Sequence, residues 1–434
     1  MSEKKYSRFI IFLIDGLSSA TLERVVATGR IPTLARYMRE GAYNNNVVSS
    51  FPTVTGPSHV PLFSGYNPSS IDIVGHNQYV RKEDTFENFL LHYDTFTRRF
   101  GDRKTLYQDF ENSVAISEPF RAGAHAYRKN IFALADWARI RGPANGYVLR
   151  TTRTEYKKGR DLIVAWLHET DGLAHMSKRE SHIAASLEQL DKFLKKFEKE
   201  IDEQTVLGFV SDHGMQKTNG NHFSLKRALK TLSKGKMQFR SYYDGGAFAQ
   251  AYMQKNNSFK EHVFEEDLGG MPEKLAQLDA TDLVLHRQSA NVYVVNASRG
   301  AAQVVREGTS TRYKVINGSD PLELLKGVEK EKVDTAAGWL ERSGESSYPD
   351  AIFQIRELLA APSSGDIFVT AAPHTSFNVL TRWGVHGGLH RNQSVTFLLF
   401  NRSMAGMQQG VVRTSALPKI ILTNKVGAPA QRVS

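Results

Sequence analysis

Aspartate and histidine residues recur in four short segments of this 434-residue chain, and their types suit divalent metal ions. Carboxylate oxygens and imidazole nitrogens are both ligands that zinc accepts, and three of each are enough for two metal sites. Two metals about 4 Å apart form a clamp for in-line displacement at phosphorus. The candidate ligands are Asp15, Asp171, His175, Asp212, His213 and His386.

The spacing of these residues indicates which side chains can converge. Asp171 and His175 are four residues apart, so one helical turn presents both on the same side. Asp212 and His213 are adjacent, and adjacent side chains point apart within a strand. In a turn at the end of a strand, however, both can reach one metal. The segment Ser211–Met215, which reads Ser-Asp-His-Gly-Met, is the most specific of the set.

Thr55 is the candidate nucleophile. It stands in the segment Pro52–His59, which reads Pro-Thr-Val-Thr-Gly-Pro-Ser-His, and Pro57 suits the first turn of a helix. Thr55 would then lie at a helix N-terminus, where backbone N–H groups attract an anion. A threonine hydroxyl is a poor nucleophile at neutral pH, and metal coordination is one way to activate it. His59 of the same segment is expected to be structural.

Uninterrupted apolar runs predict the strands that position these residues. Such runs are typical of strands buried on both faces, as in a parallel sheet. Apolar residues at three- and four-residue spacing over 187–201 predict a helix between two of the runs, which makes a βαβ unit of an α/β fold. Ligands gather at the carboxyl ends of strands in such sheets. The runs are Phe9–Ile14, Leu162–Leu167, Val206–Val210 and Val395–Phe400, and the first three lead to Asp15, Asp171 and Asp212.

The chain is predicted to consist of a core interrupted by an insertion. Residues 1–239 and 361–426 are expected to form the two parts of the catalytic core. Residues 240–360 hold isolated strand-like runs joined by polar connections, and we expect them to form a smaller inserted cap region. Residues 427–434 are small and polar and are expected to be a disordered tail.

Composition restricts the class of protein. Apolar residues make up 41% of the chain and charged residues 23%, as in ordinary globular proteins. The absence of cysteine excludes disulfide frameworks, thiolate zinc sites and cysteine nucleophiles. No stretch has the length of a signal peptide h-region or a membrane span, so we expect a cytoplasmic protein. The net charge of +11 and the basic stretch 127–160 leave open a non-catalytic protein that binds a polyanion, although nucleic acid is not required.

In this order, the segments resemble the alkaline phosphatase superfamily, and within it the type I phosphodiesterase/nucleotide pyrophosphatase branch. Those enzymes carry Pro-Thr-Lys-Thr-Phe-Pro-Asn-His around the nucleophile, where this chain has Pro-Thr-Val-Thr-Gly-Pro-Ser-His, and the matching nucleophile is Thr55. The resemblance covers residues 8–80, 160–216 and 375–402. It implies a three-layer α/β/α sandwich with a mostly parallel central sheet.

The resemblance also implies how two divalent ions would be bound. Zinc is favoured, with manganese or iron as alternatives. Thr55 would attack phosphorus and form a phosphothreonine, which water then hydrolyses. The implied ligands are Asp171, His175 and His386 for one ion, and Asp15, Asp212, His213 and the Thr55 oxygen for the other.

Further residues are candidates for contacts with a substrate. Family members have an Asn downstream of the nucleophile that contacts a phosphoryl oxygen; strict alignment places His76 there, whereas the chemistry favours Asn77, which we take as catalytic. Arg121 would bind a dianionic phosphate and keeps a phosphomonoesterase open as the alternative. His390 is a further candidate for a substrate contact, because it is close in sequence to His386. We expect hydrolysis of a small phosphodiester or nucleotide pyrophosphate, while the exact substrate and the oligomeric state are left open.

Overall fold

The computed structural model describes residues 5–89, 94–130, 143–377 and 383–427. Its strands are β1 (Arg8–Ile14), β2 (Ala42–Val48), β3 (Asn77–Val80), β4 (Thr85–Asn88), β5 (Ser113–Ile116), β6 (Ala126–Arg128), β7 (Leu162–Leu167), β8 (Thr205–Val210), β9 (Gln216–His222), β10 (Phe239–Asp244), β11 (Phe248–Met253), β12 (Thr281–Ser289), β13 (Val292–Ala297), β14 (Gly300–Glu307), β15 (Ser310–Gly318), β16 (Glu331–Thr335), β17 (Ile367–Ala371), β18 (His374–Ser376), β19 (Gly384–Val385), β20 (Val395–Phe400) and β21 (Val412–Arg413).

The α-helices in these ranges are α1 (Ser19–Ala27), α2 (Pro32–Glu40), α3 (Thr55–Ser64), α4 (Asp94–Phe100), α5 (Pro143–Lys157), α6 (Glu169–Met176), α7 (Glu180–Phe197), α8 (Leu225–Leu232), α9 (Glu265–Leu268), α10 (Met271–Ala276), α11 (Ala336–Ser343), α12 (Ala351–Ala360), α13 (Arg391–Ser394) and α14 (Leu417–Thr423). None of them combines the length and the apolar character that a membrane span requires. The predicted tail, apart from Gly427, lies outside the described residues.

The central sheet contains all four predicted strands. Its strand order is β21-β2-β20-β8-β1-β7-β5-β6, and β1 pairs in parallel with both β7 and β8. The sheet is mostly parallel, as predicted. β20 differs from our expectation, because it runs antiparallel to β8 and β2. Its uninterrupted apolar run reflects burial on both faces, which a strand of either direction can have.

Helices cover both faces of the central sheet. Phe9 and Ile11 of β1 belong to an apolar cluster with residues of α3 and α14. Ile10 and Phe12, which point to the opposite face, belong to a second cluster with residues of α1, α2 and α7. This alternation produces the three-layer α/β/α arrangement and confirms the predicted fold class.

A second, antiparallel sheet is built from the predicted insertion. Its strand order is β10-β11-β17-β12-β13-β14-β15-β16. Helices α11 and α12 pack on one face, and α8, α9 and α10 pack on the other. β17 lies between β11 and β12, although we assigned residues from 361 onward to the core. The chain therefore contributes one more strand to this sheet before it returns to the central one.

Three cations of the basic stretch 127–160 bind a buried carboxylate. Arg128, Lys158 and Arg160 each donate a hydrogen bond of 2.8 to 2.9 Å to the carboxylate of Glu155, whose side chain is 1% exposed. Burial alone would raise the pKa of Glu155, but the three cations lower it to about 2. These cations therefore neutralise an internal carboxylate. Residues 131–142 of the stretch lie outside the described residues.

Replacing Glu155 by Gln should lower the free energy of unfolding at neutral pH by about 2 kcal/mol, because three cations lose a buried anion. The folded-state pKa of Glu155 lies below that of the unfolded chain, so its stabilisation is present above the unfolded value and is lost as the pH falls toward about 2. In urea unfolding, the difference between wild type and Glu155→Gln should therefore shrink from about pH 5 to about pH 3.

Glu200→Gln is the matched control, because Glu200 pairs with Arg153 at the surface. It should change stability much less. Equal losses in the two variants would contradict the buried network.

Candidate metal and catalytic site

Three aspartates lie at the carboxyl ends of neighbouring strands, as predicted. Asp15 directly follows β1, Asp212 follows β8, and Asp171 lies in the first turn of α6, just after β7. Because β1 lies between β7 and β8, the three carboxylates meet at one edge of the sheet. Burial, together with the negative charges of Asp212 and Asp171, raises the pKa of Asp15 well above its usual value.

His175 and His386 both direct Nε2 at the Asp171 carboxylate. Asp171 Oδ1 is 3.3 Å from His175 Nε2 and 3.5 Å from His386 Nε2. Each Nδ1 lies against a backbone carbonyl oxygen, of Gly384 at 2.7 Å and of Thr53 at 2.8 Å respectively. A carbonyl only accepts hydrogen bonds, so Nδ1 of each ring is the donor and Nε2 is the nitrogen that faces Asp171. Burial and the neighbouring His213 lower the pKa of His386, which keeps its ring neutral.

His213 faces the other two aspartates. Its Nε2 is 3.3 Å from Asp212 Oδ2 and 3.5 Å from Asp15 Oδ1, and its Nδ1 lies 3.0 Å from the Gly214 carbonyl oxygen. The adjacent Asp212 and His213 therefore converge in the turn after β8. The His213 ring stacks on His386 with 3.8 Å between centroids, so the two groups of ligands adjoin.

Several buried ligand atoms have no hydrogen-bond partner. Buried charges in proteins are paired or bind metals, because an isolated one is very costly. The donor set of carboxylate oxygen and imidazole nitrogen fits divalent cations such as zinc. The unpartnered atoms are Asp15 Oδ1, Asp171 Oδ1, Asp212 Oδ2, His59 Nε2 and His213 Nε2.

The ligand atoms form two compact triplets. Within each triplet they lie no more than 4.8 Å from one another. The triplets differ from the sets implied by the family resemblance, because His213 is placed with the first group and His59 joins the second. The triplets are Asp171, His213 and His386, and Asp15, His59 and Asp212.

His59, which we expected to be structural, lies beside the candidate ligands. Its Nε2 is 3.3 Å from Asp212 Oδ2, and its Nδ1 is 2.7 Å from Glu118 Oε1. Burial alone would lower the pKa of His59, but the two carboxylates raise it to about 9. One signal in the sequence was available: His59 is four residues after Thr55, about one helical turn.

Thr55 is the first residue of α3, as the sequence indicates. The preceding residue, Val54, is extended and provides no side-chain cap. An anion bound at this end of α3 would meet the positive end of the helix dipole. Thr53 fixes this segment, because its hydroxyl donates to the Gly388 carbonyl at 2.8 Å and accepts from the Gly387 N–H at 3.0 Å.

His76, and not Asn77, lies beside the candidate nucleophile. The Gly56 N–H donates to His76 Nε2 at 2.8 Å, and burial lowers the pKa of His76 to about 3, so its ring is neutral. The Asn77 amide donates to Asp244 Oδ1 at 2.7 Å and accepts from Asn88 Nδ2 at 2.6 Å. Both ends of this amide are occupied, so the geometry does not support Asn77 as the phosphoryl contact.

The other two candidates for substrate contact take part in packing. The Arg121 guanidinium lies 4.2 Å from the centre of the Tyr127 ring. His390 precedes α13, accepts from the Asn392 N–H at 3.3 Å and packs edge-on against Tyr348. A contact of Arg121 or His390 with substrate stays a prediction.

The second sheet helps to position His386. The His386 N–H donates to the Gly245 carbonyl at 3.0 Å, and the Ala247 N–H donates to the His386 carbonyl at 2.9 Å. Gly245 has φ +60°, and a Cβ there would lie 2.4 Å from the His386 carbonyl oxygen and 2.8 Å from its Nδ1. Only glycine permits this approach. The turn between β10 and β11 therefore determines where this ligand lies.

Comparison with known proteins gives the family. The family described as type I phosphodiesterase / nucleotide pyrophosphatase matches residues 9–304. The chain belongs to this family. Its members are metal-dependent hydrolases of phosphoesters, in keeping with the groups of candidate ligands. No curated protein matches the chain.

Solved structures with the same fold include two kinds of enzyme. Phosphonoacetate hydrolase from Sinorhizobium meliloti 1021 is 13% identical with a TM-score of 0.63, and the match covers 98% of this chain and 100% of that one. Murine ectonucleotide pyrophosphatase / phosphodiesterase 5 is 15% identical with a TM-score of 0.58, covering 99% and 97%. The human protein is 13% identical with a TM-score of 0.59, covering 98% and 96%. At these identities the similarity shows the fold.

Gly245→Ala should displace His386 and reduce the amount of zinc that the protein retains, because the new Cβ would collide with His386 backbone and ring atoms. Gly235→Ala is the matched control: Gly235 has φ +70° but open space around its Cβ position, so it should cost only about 1 kcal/mol of backbone strain. Zinc content after gel filtration measures the effect. Equal zinc content in both variants would show that the contact does not position a ligand.

Proposed function

We propose that this chain is a two-metal hydrolase of phosphodiester or nucleotide pyrophosphate bonds, with Thr55 as its nucleophile. The observation that carries the proposal is the convergence of three aspartates, two buried and one half-buried, each with an unpartnered oxygen, on imidazoles whose Nε2 atoms face them. Membership of the family supports hydrolysis of phosphoesters. The nucleophile and the number of metals are our inference.

We assign one ion to Asp171, His175 and His386, and the other to Asp15, Asp212, His213 and the Thr55 oxygen. Distances of 3.3 to 3.5 Å between carboxylate oxygens and Nε2 atoms within each set are compatible with this division, which follows the family resemblance, whereas the compact triplets place His213 with Asp171 and His386. Mixed oxygen and nitrogen ligands favour zinc, with manganese or iron as alternatives. Bound ions would lower the pKa of hydroxyl and water oxygens and offset negative charge at phosphorus.

In the proposed reaction, Thr55 Oγ1 attacks phosphorus opposite the leaving group and gives up its proton. The bond to the leaving oxygen breaks, the leaving group takes up a proton, and a phosphothreonine remains. The positive end of the α3 dipole would face the non-bridging oxygens. Water then attacks phosphorus from the vacated side and releases Thr55, so two inversions retain the configuration.

The two side chains next to Gly56, His76 and Asp244 behind it, are compatible with a diester. His76 is neutral at its contact with Gly56, and behind it lies the buried carboxyl of Asp244, whose pKa burial raises to about 6. Neither group supplies the additional positive charge that a dianionic monoester would require. Arg121 is the residue that would supply this charge if the chain were a phosphomonoesterase.

The structural neighbours extend the set of substrates worth testing. The murine neighbour was solved as an inactive variant, with one threonine replaced by alanine, in complex with AMP. This supports a threonine nucleophile and a nucleotide substrate here. The bacterial neighbour is a phosphonoacetate hydrolase bound to phosphonoformate. Phosphonoacetate therefore belongs in the same assay.

Zinc-loaded protein should hydrolyse bis(p-nitrophenyl) phosphate faster than p-nitrophenyl phosphate. Thr55→Ala should lower kcat by roughly three orders of magnitude or more, because the covalent route is lost. Thr55→Ser should keep part of the activity. Ser64→Ala is the control, since Ser64 lies at the other end of α3 and bonds only within the helix and the turn after it. Mass spectrometry of acid-quenched reactions should detect phosphate on Thr55.

Each other outcome has a defined meaning. Faster turnover of the monoester would make the chain a phosphomonoesterase and Arg121 the next residue to replace. Turnover of phosphonoacetate alone would change the proposed substrate class. The Thr55 variants would then still test whether Thr55 is the nucleophile. No turnover of any substrate by protein that retains its metals would refute hydrolysis and favour the non-catalytic alternative.

A further inference from the structure

A second group of metal-binding residue types lies in the inserted sheet and shares no residue with the site described above. Glu265 is the first residue of α9, Glu273 lies in α10, and His286 lies in β12. One ligand atom from each of the three lies within 4.8 Å of the other two. Two short helices and one strand thus lie next to one another at this point.

His286 occupies a core position in the second sheet. It is 0% exposed, and its backbone lies opposite Val294 of β13 and Ile367 of β17. It is two residues from Val284, so both point to the same face of β12, where Val284 packs with Leu268 and other apolar residues. A buried imidazole in such surroundings is costly unless both ring nitrogens have partners.

The two ring nitrogens of His286 differ in this respect. Nδ1 is 3.3 Å from Asn296 Nδ2, and with the side-chain amide turned over, the Asn296 oxygen accepts a hydrogen bond from Nδ1–H. Nε2 has no hydrogen-bond partner and lies 4.0 Å from Glu265 Oε2, a buried atom that also has none. This distance is too long for a hydrogen bond. Two ligands of one tetrahedral zinc ion are about 3.3 Å apart, so a small movement would bring both within reach of an ion.

The protonation state of His286 agrees with binding of a cation. Burial lowers the pKa of His286 to about 4, so its ring is neutral at physiological pH. Neutral imidazole is the form that ligates metals. Glu273 is exposed, so a water molecule can reach the third side of the group.

We propose that Glu265, Glu273 and His286 bind a zinc ion that fastens α9 and α10 to β12. One imidazole nitrogen, two carboxylate oxygens and one water give the four-coordinate shell that zinc favours. Calcium takes six to eight oxygen ligands and does not match this set. Leu268 of α9 and Met271 of α10 belong to the apolar cluster on this face of the sheet, and the group shares no residue with the proposed catalytic site, so the ion would stabilise the inserted sheet.

Metal analysis of exposed-site variants tests the proposal. After loading with zinc and gel filtration, the wild type should retain one more zinc per chain than Glu273→Gln, measured by plasma mass spectrometry. Because Glu273 is exposed, its isosteric replacement should fold even if His286→Asn does not. His374→Asn is the control: His374 is exposed with φ +71°, a conformation that asparagine tolerates, and this variant should retain as much zinc as the wild type.

The readout separates this site from the proposed catalytic one. The difference in zinc between wild type and Glu273→Gln does not depend on how many ions the catalytic residues hold. Glu273→Gln should retain one zinc fewer, and its Tm should no longer include the increase that this zinc gives the wild type. Its rate of bis(p-nitrophenyl) phosphate hydrolysis should stay at the wild-type value. Equal zinc content in wild type and Glu273→Gln would overturn the proposal.

Discussion

Electrostatic repulsion among Asp15, Asp171 and Asp212 is the constraint on which the rest of this structure depends. Three carboxylates that meet in a buried, low-dielectric environment repel one another strongly and lose their hydration. The Gly16 N–H at 3.1 Å from Asp212 and the Trp166 indole N–H at 2.9 Å from Asp15 offset only part of this cost. Unpartnered oxygens remain on all three aspartates, and each of them faces an imidazole nitrogen. A site of this composition is suited to cations.

The same constraint explains why the loop around His386 is held from two sides. Thr53, two residues before the candidate nucleophile, accepts the Nδ1 hydrogen bond of His386 and binds the following backbone through its hydroxyl. Gly245 of the second sheet holds the His386 backbone from the other side. The nucleophile, this metal ligand and the inserted sheet are therefore mechanically linked. A small change in the turn between β10 and β11 should therefore displace His386.

Much of the fold could be predicted because it follows from local patterns. Apolar runs identified β1, β7 and β8, and the polar residues after them identified the edge of the sheet where ligands would meet. The direction of β20 could not be predicted, since burial on both faces gives the same pattern in parallel and antiparallel strands. The choice between His76 and Asn77 was also beyond local reasoning. Adjacent side chains at the start of β3 point different ways, and only the position of Asp244 shows which one turns toward α3.

The sequence by itself determined the chemical groups: three aspartates after strands, a helical pair in Asp171 and His175, and a hydroxyl at a helix start. These features depend on residue type and on spacings of a few residues, which the chain displays directly. Only the tertiary structure decided their partners, such as Glu118 for His59, Thr53 for His386 and Gly384 for His175. Such contacts join residues far apart in the chain, and their existence depends on how sheets and helices pack, which hydrophobic periodicity does not encode.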